Sequence, residues 1–215
     1  MEYDAILFDH DGVLVEGPSR ESIVRAGRET LRSFAVDVPA SNHLDTLKSG
    51  DVSEIARFCR DHGIDTMEFC YRAARNSARE QYRELESGAR TAYADVSALR
   101  SLDVPLGVVS DNQPAVVEQF LRSVGLYDLF DTIRGCTYDP WGIERQKPDP
   151  YHIETALDEL DADAAAYVGD RGVDIAAANR AGVDAVLVDR DGDAPDAPAA
   201  TARIESVAEL PDALR

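Results

Sequence analysis

Four short apolar runs punctuate the chain, each ending in a polar residue: "AILF" before Asp9, "LGVVS" ending at Ser110, "AAYVG" before Asp170 and "AVLV" before Asp189. Unbroken apolar runs this short, separated by helical stretches, predict strands of a parallel sheet buried on both faces. Between them Val117, Phe120, Leu121 and Val124 recur at helical spacing, with Gly125 placed to cap the C-terminus. From Ser19 to Gly88 the texture is almost entirely helical. Asp51 with Glu54, and Asp65 with Glu68, form capping-box pairs. Each opens a periodic segment, Val52, Ile55, Ala56 and Cys59 in one, and Met67, Cys70, Tyr71, Ala74 and Ala78 in the other. Two antiparallel helices are expected here, within three or four in all. So long a helical stretch does not suit a simple crossover, and it is expected to be an insert in an alternating α/β fold. Residues 189 to 201, rich in Asp, Pro and Ala, are expected to be a surface connection.

Composition narrows the classes. At 215 residues, 44% of them hydrophobic, the chain can bury a proper core. No apolar run approaches a membrane span and no signal peptide is evident, so a cytoplasmic protein with no membrane partner is expected. Cys59, Cys70 and Cys136 form no CxxC and are expected to be buried apolar residues. The 41 acidic residues outnumber the 22 basic ones, a net charge of -19, which argues against nucleic acid as a partner. Of the basic residues only Lys48 and Lys147 are lysines. With the Asp-rich surface this composition is similar to that of proteins from salt-loving microbes, in which a Debye length of roughly 3 Å at molar salt screens self-repulsion.

In an open α/β sheet, ligands bind beyond the carboxyl ends of the strands. The residues there are Asp9 and Asp11 after the first run, Ser110 after the second, and Asp170 with Asp174 after the third, while Lys147 lies on a loop before a helix. In extended chain Asp9 and Asp11 would share a face, each disfavouring the other's ionisation. Carboxylate oxygens suit Mg²⁺, which prefers to be shared with a substrate phosphate and would turn that repulsion into binding. Asp9 could then attack phosphorus as a carboxylate nucleophile. Asp11 could protonate the leaving oxygen and later deprotonate water. Gly12 permits the sharp turn this requires.

The pieces "DHDGVL", "VVSD", "KPDP" and "VGDRGVD" resemble, in order, the four motifs of the haloacid dehalogenase superfamily, and within it the phosphoglycolate phosphatase-like hydrolases. The resemblance implies a Rossmann-like parallel-sheet core, residues 1–18 and 89–215, with a helical cap domain over residues 19–88. It further implies a Mg²⁺-dependent phosphatase acting on a small phosphorylated metabolite. Asp9 would be the nucleophile and Asp11 the general acid/base, and Ser110, Asp111 and Lys147 would bind phosphate. Asp9, the main-chain carbonyl of Asp11 and Asp170 would hold the metal, with Asp174 a further ligand or an outer partner. A sugar-phosphate mutase of the same family would use the same residues. Dehalogenases lack the second aspartate that Asp11 supplies. A receiver-type phosphoacceptor would have no helical insert, and a catalytically dead module would not keep every motif.

Two positions depart from the family pattern. His10 stands at a usually apolar position, and strand alternation would point it away from Asp9 and Asp11 into a structural role. Asp111 stands where Asn is common, so only its backbone N–H is expected to serve an anion. His43, His62 and His152 have no metal-ligand spacing and are expected on the surface or in helices. Trp141 is expected to be a packed anchor, and Lys48 an exposed loop lysine.

Overall fold

The computed structural model describes residues 3–36, 51–192 and 199–214. Lys48, His43 and part of the 189–201 connection lie outside them. The chain divides into two compact units, one of residues Met1–Gly17, Thr91–Gly135 and Lys147–Arg215, the other of Pro18–Arg90 and Cys136–Gln146.

The first unit is a six-stranded parallel sheet. Its strands are β1 (Ala5–Phe8), β2 (Leu106–Val109), β3 (Thr132–Arg134), β4 (Ala165–Gly169), β5 (Asp184–Val188) and β6 (Ala202–Ile204), in spatial order β3-β2-β1-β4-β5-β6. The four apolar runs are thus β1, β2, β4 and β5. Alternation along them fills two cores, as period 2 requires. Ile6, Phe8, Val108, Val168 and Val186 join Val117 and Leu121 on one face, whereas Ala5, Leu7, Val109, Tyr167 and Leu187 join Ile153, Ala156 and Ile175 on the other. Strand order reverses between β1 and β4, the topological switch point at which such sheets bind ligands.

The second unit is helical in its described residues, with α1 (Arg20–Ser33), α2 (Val52–Asp61), α3 (Thr66–Ser87) and the single turn α5 (Pro140–Ile143), numbered with α4 (Pro114–Ser123), α6 (Tyr151–Leu160), α7 (Gly172–Ala181) and α8 (Leu210–Ala213) of the sheet unit. The expected N-caps are present. Asp51 accepts from the N–H groups of Ser53 and Glu54, and Asp65 from that of Glu68. Leu31, Ile55, Phe58, Cys59, Phe69 and Cys70 form its core, and Ile143 packs among them, so residues 136–146 belong to this unit. The sequence-based boundaries assigned that stretch to the sheet. All three cysteines are buried and unpaired with one another. Among the described residues no helix is long and apolar enough to cross a membrane.

Two side-chain expectations need correction. The periodicity on α3 runs through Met67 and Tyr71, yet these are 55% and 62% exposed, and the buried face carries polar residues, Asn76, Glu80 and Gln81, beside Phe69 and Cys70. Trp141 is half exposed, with the Arg145 guanidinium stacked 4.0 Å over its ring, rather than packed into a core. His152 lies in α6, as a helix residue, but is buried, and His62 is the exposed C-cap of α2.

Candidate active site

The chain leaves β1 in a way that fixes the first motif. The Asp9 N–H continues the ladder to Val168 O at 2.8 Å, and then the chain folds back on itself. His10 O accepts from the N–H groups of Leu14 and Val15, and the Gly12 N–H donates to Val15 O. Gly12 has φ +86°, and a Cβ there would lie 2.1 Å from Asp170 Oδ2, so only glycine lets the turn and the end of β4 approach.

That turn corrects the reading of His10 and of the shared face. Alternation holds only within a strand, and β1 ends at Phe8. His10, fully buried with Phe120 edge-on to its ring, therefore swings back onto Asp11, its Nδ1 2.6 Å from Asp11 Oδ1. Asn112, in the loop after β2, donates from Nδ2 to the other Asp11 oxygen at 2.9 Å. The Asp11 carboxyl is held at both oxygens, by His10, expected to point away from it, and by Asn112, which motif reading did not single out. Ser110 is buried, and its Oγ accepts the Asn112 N–H at 3.1 Å, which shapes this same loop.

Asp9 sits below the turn, 2% exposed. Its Oδ1 lies 3.0 Å from Lys147 Nζ, which also reaches Asp174 Oδ1 at 2.7 Å and the Tyr167 hydroxyl at 2.9 Å. That hydroxyl donates onward to Val109 O, anchoring the lysine to the middle of the sheet. Burial pushes Asp9 well above the usual carboxylate range, with the Lys147 ammonium opposing it. Burial also opposes the charge on Lys147, but Asp174 and Asp9 outweigh it and hold the ammonium well above its ordinary value. Asp174, desolvated in its turn, is nonetheless kept below its usual value by Lys147 and Arg171. Its Oδ2 accepts the Arg171 N–H at 2.9 Å at the start of α7.

The side chain of Asp111 is used rather than idle. Oδ1 accepts the Lys147 N–H at 3.0 Å, and Oδ2 accepts from Arg171 Nη2 at 3.3 Å. Arg190, after β5, braces the opposite side. Its Nη2 donates to Val13 O at 2.7 Å and its Nη1 to Asp95 Oδ2 at 2.8 Å, and the guanidinium lies over the Tyr93 ring. No motif pointed to Arg190 or Tyr167. Arg171 and Asn112 had a weak signal, being next to predicted strand-end residues.

Asp9, Asp170 and Asp174 each present an oxygen within 4.8 Å of the others. Asp170 Oδ1 is buried without a hydrogen-bond partner, its nearest cation being Arg171 Nε at 3.8 Å. Burial, and then Asp174, push Asp170 up to about 6. A trio of hard oxygens carrying an unmet acceptor fits a divalent cation such as Mg²⁺. The Asp11 carboxylate is not one of the three and faces His10 and Asn112 instead.

A buried carboxylate thus lies beside a buried ammonium at the switch point of a parallel sheet. The family model of the haloacid dehalogenase-like hydrolases matches residues 6–188, and the chain belongs to that family. It is 28% identical over 180 residues to the pyrophosphatase PpaX of Bacillus velezensis, covering 83% of this chain and 79% of that protein. It is also 33% identical over 123 residues to a plasmid-borne phosphoglycolate phosphatase of Cupriavidus necator, covering 55% of this chain and 52% of that one. Among solved structures, CbbY from Rhodobacter sphaeroides in complex with phosphate superposes with a TM-score of 0.72 at 23% identity, covering 97% of this chain and 96% of that one, and shares the fold.

Proposed function

We propose that the protein is a Mg²⁺-dependent phosphatase that hydrolyses a small phosphomonoester through an aspartyl-phosphate at Asp9. The observation that carries this reading is the buried Asp9 carboxylate, 3.0 Å from Lys147 Nζ and clustered with Asp170 and Asp174. A carboxylate raised by burial is a poor anion but a strong nucleophile once a cation restores its charge. Mg²⁺, held by Asp9, Asp170 and Asp174 with the Asp11 carbonyl, would supply that charge and polarise the phosphoryl oxygens.

The chain's own residues do the rest. Lys147 keeps one Asp9 oxygen pinned, which leaves Oδ2 directed to the phosphorus. The acid/base role falls to Asp11, oriented by His10 Nδ1 and Asn112 Nδ2. It gives a proton to the departing alkoxide and then takes one from the water that opens the acyl phosphate. Of the two named relatives, the phosphoglycolate phosphatase acts by name on a small phosphomonoester, as in this reading, and the pyrophosphatase on a phosphoric anhydride, whose departing group would be phosphate.

The test is a panel of phosphorylated metabolites including these two, assayed for inorganic phosphate with Mg²⁺ and with EDTA. Release of phosphate with Mg²⁺ and none with EDTA is expected. Conversion of a sugar phosphate to its isomer with no phosphate released would replace the phosphatase by a mutase.

A further inference from the structure

We propose that Arg171 joins Lys147 in holding the substrate's phosphoryl oxygens, a task the four-motif pattern gives to Lys147 with Ser110. The inference rests on the reading of Asp9 as the phosphoryl acceptor. Two cations ion-pair with Asp9 among the described residues, Lys147 and Arg171, and they are placed for different work. The Lys147 ammonium hydrogen-bonds the Tyr167 hydroxyl at 2.9 Å and ion-pairs with Asp9 Oδ1 at 3.0 Å and Asp174 Oδ1 at 2.7 Å, and its side chain is 2% exposed. It orients and neutralises the carboxylates from below.

Arg171 is the converse. Its side chain is 52% exposed, and of its five donors one makes a side-chain hydrogen bond, from Nη2 to Asp111 Oδ2 at 3.3 Å. The same Nη2 lies 3.8 Å from Asp9 Oδ2, the oxygen that Lys147 leaves open. That gap is too long for a hydrogen bond, yet it sets the planar fork beside the place where an attacked phosphoryl group brings its oxygens. Asp111 acts as the tether. Its carboxylate, unhelpful to an anion if it faced one, is spent on Arg171 and on the Lys147 N–H, so it holds the fork in place and is itself neutralised. The departure from the family pattern at this edge, Asp111, thus finds its partner in Arg171.

The experiment titrates inorganic phosphate into the Mg²⁺-loaded protein by calorimetry, for wild type, Arg171→Met and Arg171→Lys, and measures KM and kcat with an aryl phosphate alongside. Losing a charge-assisted contact should weaken phosphate binding by about 10-fold or more in Arg171→Met, with KM rising in step. Arg171→Lys keeps the charge without the fork and should fall between the two. Mg²⁺ titrated without phosphate should bind Arg171→Met at least as tightly as wild type, because a competing cation has gone. Phosphate affinity in Arg171→Met within twofold of wild type, with turnover retained, would overturn the inference and leave the phosphatase standing. Phosphate binding that depends on Arg171 in a protein that turns over nothing would leave the anion site and remove the phosphatase.

Discussion

Asp9 in the sheet unit and Glu80 in the helical unit are both carboxylic side chains with 2% of their surface exposed, and the chain treats them in opposite ways. Glu80 is surrounded by arginines: Arg25 Nε at 2.9 Å, Arg83 Nη1 at 2.5 Å and Arg79 Nε at 4.0 Å, all from side chains that are about half exposed. Asp9 has Lys147 and Arg171 for partners, but these two cations also serve Asp111, Asp170 and Asp174. Around Glu80 the charge is met within the chain. At the strand ends four carboxylates face two cations, and the balance must come from solution. A buried acid with its own counterions is scaffold, whereas a buried cluster short of positive charge is built to receive some.

The strongest way to break that comparison is to neutralise each acid. Asp9→Asn should lower turnover by more than about 10⁴-fold, since no attacking carboxylate remains. Asp11→Asn should cost roughly 10² to 10⁴-fold and, with an aryl phosphate whose leaving group needs little protonation, should accumulate a phosphate adduct on Asp9. Mass spectrometry of the quenched proteins reads both. An adduct on another residue, or wild-type turnover in either variant, would reassign the pair.

Glu80→Gln should do the reverse. Turnover per folded molecule stays unchanged, while the urea midpoint drops by the equivalent of about 1 to 3 kcal/mol as three arginines lose their common acceptor. A loss of turnover without a loss of stability would erase the distinction drawn between the two acids.

The smallest effect is a slope with pH. In metal-free protein Asp170 is pushed up to about 6, above its value in the unfolded chain. Between roughly pH 4 and 6 the folded state therefore holds more protons than the unfolded state, so this residue's contribution makes stability fall as pH rises and level off above that window. Melts in EDTA across the window should show a steeper decline for wild type than for Asp170→Asn, and parallel curves would contradict it.

How legible each region was follows from the same physics. β1, β2, β4 and β5 are buried on both faces, so their apolar runs stood out, whereas the edge strands β3 and β6 are three residues long and carry Thr132, Arg134 and Arg203. Their strand character comes from pairing with Val108 and Leu187, which no local pattern reports. The α3 stripe was misplaced because its buried face is polar, and polar residues at helical spacing look like solvent. At the site, the residues Asp9, Ser110, Lys147, Asp170 and Asp174 were readable as strand-end and loop chemistry. What escaped was direction. His10 lies two residues beyond the end of β1, where the strand rule no longer holds, and the tether between Asp111 and Arg171 joins positions 60 residues apart.

The anchoring of Lys147 makes the site observable without substrate. The chain carries two ε-amines, at Lys48 and Lys147, and the second is sealed at 2% exposure beneath its three acceptors. Acylation of residue 147 requires its amine to be both uncovered and deprotonated, so its rate is expected to report how often Asp9, Asp174 and Tyr167 release the lysine. Followed by peptide mapping, that rate is a clock internal to each molecule, and anything that seats against Asp9 and Asp174 should slow it.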